Sequence, residues 1–204
     1  MEAQFLRAVQ LENKQLKEEV SRLRDYVHSL QSLYQAAQRL LSEKDIMVLL
    51  DKTMYYAVTV LDAQDGSLLV YDEDTNRLVF VIVQGTVRER LPGYRIPCDE
   101  GIAGWVFSNR EPVISNNAGA DPRFSPRIDE TFGFETHSLV SAPLVARGRA
   151  LGVVEVLNKS SDRPFTEADQ DLLSILALIA AIALDDLARE PAGEGQPVEA
   201  KPAA

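Results

Sequence analysis

The chain has 204 residues, of which 46% are hydrophobic and 25% charged, which suits one domain of ordinary size plus an additional segment. Its formal net charge of −10 disfavours nucleic acid and anionic membrane surfaces as partners, because both are negatively charged. A single cysteine, Cys98, excludes an intrachain disulfide and a cysteine-cluster metal site. The N-terminus does not resemble a signal peptide, and the most apolar window, 172–184, is shorter than the about 20 residues of a membrane span. We therefore predict a cytoplasmic protein.

Residues 1–42 are predicted to form a coiled-coil helix. With Leu6 at heptad position a, the 3-4 spacing of apolar residues continues without a slip over five heptads. Valine at central a positions and leucine at d positions favour two parallel strands. The predicted dimer interface consists of Val9, Asn13, Leu16, Val20, Leu23, Val27 and Leu30.

Polar residues of the same segment favour a parallel homodimer. Asn13 lies at an a position, where facing amides pair in one register. The interhelical pairs Glu12 with Lys17 and Glu19 with Arg24 would both be attractive. The alternative is a single amphipathic helix that packs on its own domain, but the asparagine and both charge pairs agree on the dimer.

Residues 43–189 are predicted to form one α+β domain. A second helix begins near Ser42 and Asp45, which can serve as its N-cap and as an acceptor three residues later. The remaining pattern predicts strands at 66–71 and 78–83, a loop at 84–100, a helix at 101–110, a strand at 112–115, a helix at 127–133, strands at 138–145 and 150–158, and a helix at 166–189. Hairpin-linked strands indicate an antiparallel sheet, with long helices on one face and a ligand pocket on the other. The tail, 190–204, is predicted to be disordered.

The stretch "NKSSDRPFTEADQ", residues 158–170, connects the last strand to the last helix. Thr166 is a good N-cap, and Asp169 would face the positive end of the helix. An ion pair between Lys159 and Asp169 would tie the strand to the helix, while Phe165 would fill the seam between them. From residue chemistry alone, a helix cap beside an exposed lysine is an equally good interpretation.

Several strings of the sequence resemble the GAF domain, a small-molecule sensor fold. They are "RIPCDEGIAGWV", "DPRF", "GFET", "APLV" and "GVVEVLNK", and the resemblance spans roughly residues 45–188. It is greatest to the cyclic-nucleotide-binding GAF domains of phosphodiesterases and certain adenylyl cyclases. The resemblance implies that Asn158, Lys159, Phe165 and Asp169 lock the pocket without touching the ligand. Gln170 departs from the pattern, which has a glutamate there.

Glu155 is the most informative candidate for ligand binding. It shares a strand face with Leu151, Val153 and Leu157, so its carboxyl group is predicted to lie among apolar side chains. The alternative is a sheet face that is partly open to water. The matching glutamate of the family lines the nucleotide pocket. Positions that match the family's contact residues give the predicted ligand-binding set of Ser67, Val83, Gln84, Ile102, Ala103, Ile128, Asp129, Thr136 and Glu155.

The resemblance also suggests a task for each part of this set. Backbone N–H groups of Ile102 and Ala103 would hold a phosphate at a helix start, and the Gln84 amide would read a purine edge. Val83 and Phe132 depart from the family pattern, and Phe132 would narrow the pocket.

No catalytic motif stands out in the chain. We find no glycine-rich phosphate loop, nucleophile elbow or paired-carboxylate site, and one cysteine argues against methionine sulfoxide reductase activity. The leading hypothesis is a non-catalytic homodimeric sensor that requires no cofactor, binds cAMP or cGMP, and signals to a separate downstream protein. The alternative is a GAF-folded dimeric scaffold without a small-molecule ligand, which Val83 and Phe132 favour.

Overall fold

The computed structural model describes residues 2–40, 43–161 and 163–187. The predicted cap residue Ser42 and the predicted disordered tail, 190–204, lie outside the described residues. The elements in chain order are α1 (Glu2–Leu40), α2 (Ile46–Val60), β1 (Ala63–Asp72), β2 (Arg77–Gln84), β3 (Arg95–Pro97), α3 (Gly101–Asn109), β4 (Val113–Ser115), a 3-10 turn (Ala118–Ala120), α4 (Arg127–Phe132), β5 (Leu139–Ala146), β6 (Arg149–Lys159) and α5 (Glu167–Leu187).

The strands form one antiparallel sheet in the order β3-β2-β1-β6-β5-β4. The predicted α+β class and both predicted hairpins are therefore confirmed. Strand β3 falls in a stretch predicted to be a loop. It pairs with β2 over only three residues, from Arg77 opposite Pro97 to Val79 opposite Arg95, which is too short to show a strand period.

Helices α2 and α5 cover one face of the sheet. Leu50 and Met54 of α2 and Leu173 of α5 are fully buried against Leu68 of β1 and its neighbours. Gly66 of β1 permits the close approach of α2, since a Cβ atom at this position would lie 2.6 Å from Met54 Cε and 2.8 Å from Val58 Cγ1. Helices α3 and α4 and the long loops remain for the opposite face.

Asp45 is the N-cap of α2. Its Oδ1 atom accepts hydrogen bonds from the backbone N–H groups of Met47, at 2.9 Å, and Val48, at 3.2 Å. The sequence placed Asp45 three residues into the helix. The helix instead begins after Asp45, because residues 43 and 44 are not helical.

Helix α1 contacts its own domain through a narrow stripe near its C-terminal end. Leu33 is 5% exposed and Leu40 is fully buried, and both occupy heptad position g. The a and d residues instead stay open, with Leu16 53% and Leu23 57% exposed. The domain therefore leaves the predicted dimer stripe uncovered. None of the described helices is long and apolar enough to cross a membrane.

Candidate ligand-binding site

A row of five side chains crosses the sheet beneath α3 and α4. The pairing places Val83 opposite Ser67, Ser67 opposite Glu155, Glu155 opposite Ser141, and Ser141 opposite Val113. Directly opposed residues of an antiparallel sheet point to the same face, so all five face the α3 side. Glu155 of β6 therefore lies at the floor, and only 9% of it is exposed.

The Glu155 carboxyl group is in an environment that disfavours its charge. Burial raises its pKa to about 7, and the hydroxyls of Ser141 and Ser67, which favour the charged form, offset only part of this rise. Near neutral pH the group is thus divided between the acid and the carboxylate. It can donate a hydrogen bond in the first form and only accept in the second.

Above this row lies a cavity whose lining includes all nine predicted ligand-binding residues. The cavity has a volume of about 90 Å³. All the empty space between its lining atoms, including the open mouth, amounts to about 730 Å³. A ligand of nucleotide size, which needs about 300 Å³ or more, would therefore have to move the covering elements outward. Most of the remaining lining is apolar, from Phe80, Val87, Leu91, Ile96, Phe124, Phe134, Leu139 and Leu157.

The ionisable side chains that line the cavity are all acidic. Asp65, Glu100, Asp129 and Glu155 all border the cavity, whereas no lysine, arginine or histidine does so among the described residues. An anionic ligand would have to rely on backbone N–H groups for its charge. The lining does not supply a guanidinium or ammonium group for this purpose.

Gln84 is the one predicted contact whose side chain turns away. It pairs with Gly66, on the helix-facing side of the sheet, and its Nε2 atom donates to Asp51 Oδ1 of α2 at 2.9 Å. The expectation that this amide reads a purine edge is therefore wrong for this arrangement. Val83 and Gln84 are consecutive strand residues, and consecutive side chains point to opposite faces, so only Val83 can face the cavity.

The start of α3 forms one part of the cover. Ile102 and Ala103 are 3% and 6% exposed, and Gly101 before them has a φ of +72°, a conformation that favours glycine. The first N–H groups of a helix have no intrahelical partner, and here no side chain caps them. Glu100 ties this turn to the next segment through Ser125 Oγ, at 3.0 Å, and Arg127 Nη1, at 2.6 Å.

Helix α4 forms the other part of the cover. Asp129 accepts a hydrogen bond from the backbone N–H of Thr136 at 2.8 Å and from its hydroxyl at 2.9 Å. These two predicted contacts therefore satisfy each other and close the loop between α4 and β5. Ile128 borders the cavity beside them.

Phe132 does not narrow the cavity, contrary to the expectation. Its ring packs edge-on against Tyr94, with the centroids 5.1 Å apart, and the Arg90 guanidinium lies 5.6 Å from its centroid. The ring therefore packs beside Tyr94 and is not part of the cavity lining. Phe124 and Phe134 line the cavity instead.

The predicted ion pair between β6 and α5 is present. Lys159 Nζ lies 2.6 Å from Asp169 Oδ2, and the two side chains are only 12% and 13% exposed. The same oxygen accepts hydrogen bonds from the backbone N–H and the hydroxyl of Thr166, at 2.7 and 2.9 Å. Phe165 is 3% exposed, and its ring lies 5.1 Å from Lys159 Nζ. The alternative of an exposed lysine beside a helix cap is thereby ruled out.

Asn158 connects the end of β6 to the cavity wall. Its Oδ1 atom accepts from the His137 N–H, and its Nδ2 atom donates to the Glu135 carbonyl, both at 2.9 Å. The residue has a φ of +56°, which asparagine tolerates better than most side chains. Because Thr136 lies between the two bonded residues, Asn158 fixes the segment that borders the cavity.

The sequence did not reveal Asp65 and Asn116. Asp65 is 4% exposed, borders the cavity, and accepts a hydrogen bond from the Thr86 N–H at 2.8 Å. Asn116, which directly follows β4, bonds both backbone groups of Phe165, at 2.7 and 3.0 Å, and so anchors the segment before α5. Alternation with Ser67 could have placed Asp65 on the cavity face, but no sequence signal links Asn116 to Phe165.

A family model for the GAF domain matches residues 43–185, and the chain therefore belongs to the GAF domain family. It is 32% identical over 142 residues to a probable 3′,5′-cyclic phosphodiesterase, pde-5, of Caenorhabditis elegans, covering 65% of this chain and 19% of that protein. It is 27% identical over 166 residues to the dual 3′,5′-cyclic-AMP and -GMP phosphodiesterase 11 of Drosophila melanogaster, covering 74% of this chain and 11% of that protein. The chain thus spans about a fifth or less of the length of these relatives.

Among solved structures, the chain resembles the GAF domain of a phosphoenolpyruvate-protein phosphotransferase from Coxiella burnetii. The TM-score is 0.74 at 21% identity, over 80% of this chain and 96% of that one. At this identity the likeness supports the fold alone.

Proposed function

We propose that this protein is a non-catalytic, cytoplasmic, homodimeric GAF sensor that binds a cyclic nucleotide, cAMP or cGMP, and signals to a separate protein. The observation that supports the proposal is that eight of the nine predicted contact residues, all except Gln84, border one cavity without turning away from it, and that a buried carboxyl group lies at its floor. The named relatives are cyclic nucleotide phosphodiesterases, and the likeness is compatible with a regulatory rather than a catalytic role.

The features of the cavity suggest how such a ligand would lie. The phosphate would meet the uncapped N–H groups at the start of α3, beside Ile102 and Ala103, because the lining offers no side-chain cation. Val83 and Ile128 would pack on the ring system of the base. Entry requires α3 and α4 to move outward, so binding is coupled to the position of the cover.

Binding of a cyclic nucleotide is testable by calorimetry. Protein refolded free of ligand is expected to bind cAMP, cGMP or both with a Kd in the micromolar range or below, which corresponds to about −8 kcal/mol. The linear nucleotides 5′-AMP and 5′-GMP are the matched controls, since they carry an additional phosphate charge that the acidic lining disfavours. Equal binding of linear and cyclic forms, or binding of neither cyclic nucleotide, would refute the proposal.

The homodimer is proposed to form through α1 and to continue along α5. The a and d residues of α1 are exposed in the single chain, with Val9 42% and Leu30 37% exposed. Ile175, Leu178 and Ile182 of α5, at helical spacing, are 41%, 51% and 48% exposed. A second copy would bury both apolar stripes. Helix α5 would then connect the Lys159–Asp169 ion pair at its start to the dimer interface.

Two matched substitutions in α1 test this dimer. Leu16→Asp, at a d position, is expected to weaken self-association by about a hundredfold or more, because it would place an unpaired charge in the apolar seam. Leu11→Asp, at the outward f position, changes an equally exposed leucine, 59% against 53%, and is expected to have no effect. Sedimentation equilibrium measures both. A wild-type monomer at micromolar concentration would contradict the dimer itself.

A dimeric scaffold without a small-molecule ligand is the second candidate. It is favoured by the narrow interior of about 90 Å³ and by the four carboxyl groups of the lining. In that case the acidic surface and the outer surface of the α1 rod would recruit proteins, and mass spectrometry of the denatured protein would detect no released ligand. A released nucleotide would exclude this candidate.

A further inference from the structure

The four carboxyl groups that border the cavity differ in what they can offer to a ligand. Asp65 from β1, Glu100 from the turn before α3 and Asp129 from α4 already accept hydrogen bonds from protein donors. Glu155 lies at the floor, where its hydrogen-bonding neighbours are the neutral hydroxyls of Ser67 and Ser141, and the lining among the described residues holds no cation. It is the acidic group best placed to make a new hydrogen bond to a ligand.

The charge of Glu155 determines which part of a cyclic nucleotide can approach it. A phosphate would be repelled by the carboxylate in this apolar setting, whereas a base edge carries neutral donors and acceptors. The phosphate is better accommodated at the uncapped start of α3. A nucleotide with its phosphate at the cover would therefore direct its base towards the floor.

We propose that Glu155 reads the base of the bound nucleotide, and that its protonation state selects between guanine and adenine. The inference rests on the proposed cyclic-nucleotide function. An ionised carboxylate presents two acceptors, which match the adjacent N1–H and N2–H donors of guanine. A protonated carboxyl group presents one donor and one acceptor, which match the N1 acceptor and the N6–H donor of adenine and no longer accept from both the N1–H and N2–H donors of guanine.

The two forms are both accessible near neutral pH. Burial raises the pKa of Glu155 to about 7, so its ionised share would rise from about a tenth near pH 6 to about nine-tenths near pH 8. The affinity for cGMP is therefore expected to rise with pH and the affinity for cAMP to fall. Neither base titrates in this interval, so Glu155 is the group that changes on the recognition edge.

The ratio of cGMP to cAMP affinity, measured by calorimetry near pH 6 and near pH 8, tests this inference. The wild-type ratio is expected to rise with pH, by about tenfold to a hundredfold. Glu155→Gln permanently carries a donor and an acceptor and does not titrate, so its ratio of cGMP to cAMP affinity is expected to be the same at both pH values. Glu111→Gln, an exposed carboxyl group outside the cavity, is the control and is expected to behave as the wild type.

The outcomes separate this inference from the proposed function. If either nucleotide binds but the wild-type ratio is constant or falls with pH, base selection by Glu155 is wrong while the sensor function stands. Retention of the wild-type pH dependence in Glu155→Gln would overturn the inference in the same way. If neither nucleotide binds at either pH, both the proposed function and the inference are overturned.

Discussion

Exchange of Glu155 for glutamine is expected to stabilise the ligand-free protein near pH 8 by about 1–3 kcal/mol, and by less than about 1 kcal/mol near pH 5. The folded-state pKa of about 7 lies above the ordinary value of 4.5, so the folded protein holds a proton that the unfolded chain has lost. Wild-type stability attributable to this group therefore falls as pH rises from about 4.5 to about 7. Glutamine cannot ionise and removes this loss.

Urea unfolding of both proteins at the two pH values measures the effect. Any change in packing from the amide would be the same at both pH values. The difference between the stability increase near pH 8 and that near pH 5 therefore measures the cost of ionising Glu155. Glu111→Gln, an exposed counterpart, controls for the change in net charge. An equal gain at both pH values, or no gain near pH 8, would show that the buried carboxyl group does not carry this cost.

Removal of the Asp169 carboxyl group is expected to destabilise the domain by about 2–4 kcal/mol and to weaken nucleotide binding, while the dimer persists. Asp169→Ala would leave the Lys159 ammonium, 12% exposed, without its counter-charge, and would also remove the acceptor for both Thr166 donors. The end of β6 would then separate from α5, and the cavity wall next to it would loosen. Chemical unfolding, calorimetry and sedimentation measure the three effects.

Two further variants define the origin of that loss. Asp171→Ala removes an exposed carboxyl group from the same first turns of α5 and is expected to cost less than about 0.5 kcal/mol. The double variant Lys159→Met with Asp169→Ala removes the stranded charge and is expected to recover part of the stability. A double variant as unstable as Asp169→Ala alone would indicate that β6 is held to α5 by the Thr166 contacts and not by the ion pair.

The sheet and its order of elements could be predicted because the hairpins and alternating strands are local signals. The pairing of β1 with β6, which brings Ser67 next to Glu155, joins residues far apart in the chain and was not predicted; the family resemblance only grouped the two residues in one site. That resemblance proposed Val83 and Gln84 together, although strand alternation alone separates them onto opposite faces. The error at Gln84 was therefore avoidable from the sequence.

Other features depend on tertiary packing that no local pattern records. Phe132 and Phe134 are two residues apart, on either side of Gly133, which has a φ of +66° and ends α4, yet Phe132 packs against Tyr94 while Phe134 lines the cavity. Burial of Asp65 depends on a donor from the Thr86 backbone, 21 residues along the chain. In α1, the heptad pattern identified the apolar stripe, but not that Leu33 and Leu40 alongside it contact the domain.

Gly66 brings the backbone of β1 into direct contact with helix α2. At this position the backbone of β1 meets Met54 and Val58 of α2 with no side chain of its own in between. Ser67, the next residue, faces the cavity. Protein interiors are close-packed and resist compression, so a small displacement of β1 by an occupant of the cavity would push α2 directly instead of being absorbed by a rotamer change. A residue without a side chain therefore transmits a displacement of the cavity floor to α2 by direct backbone contact.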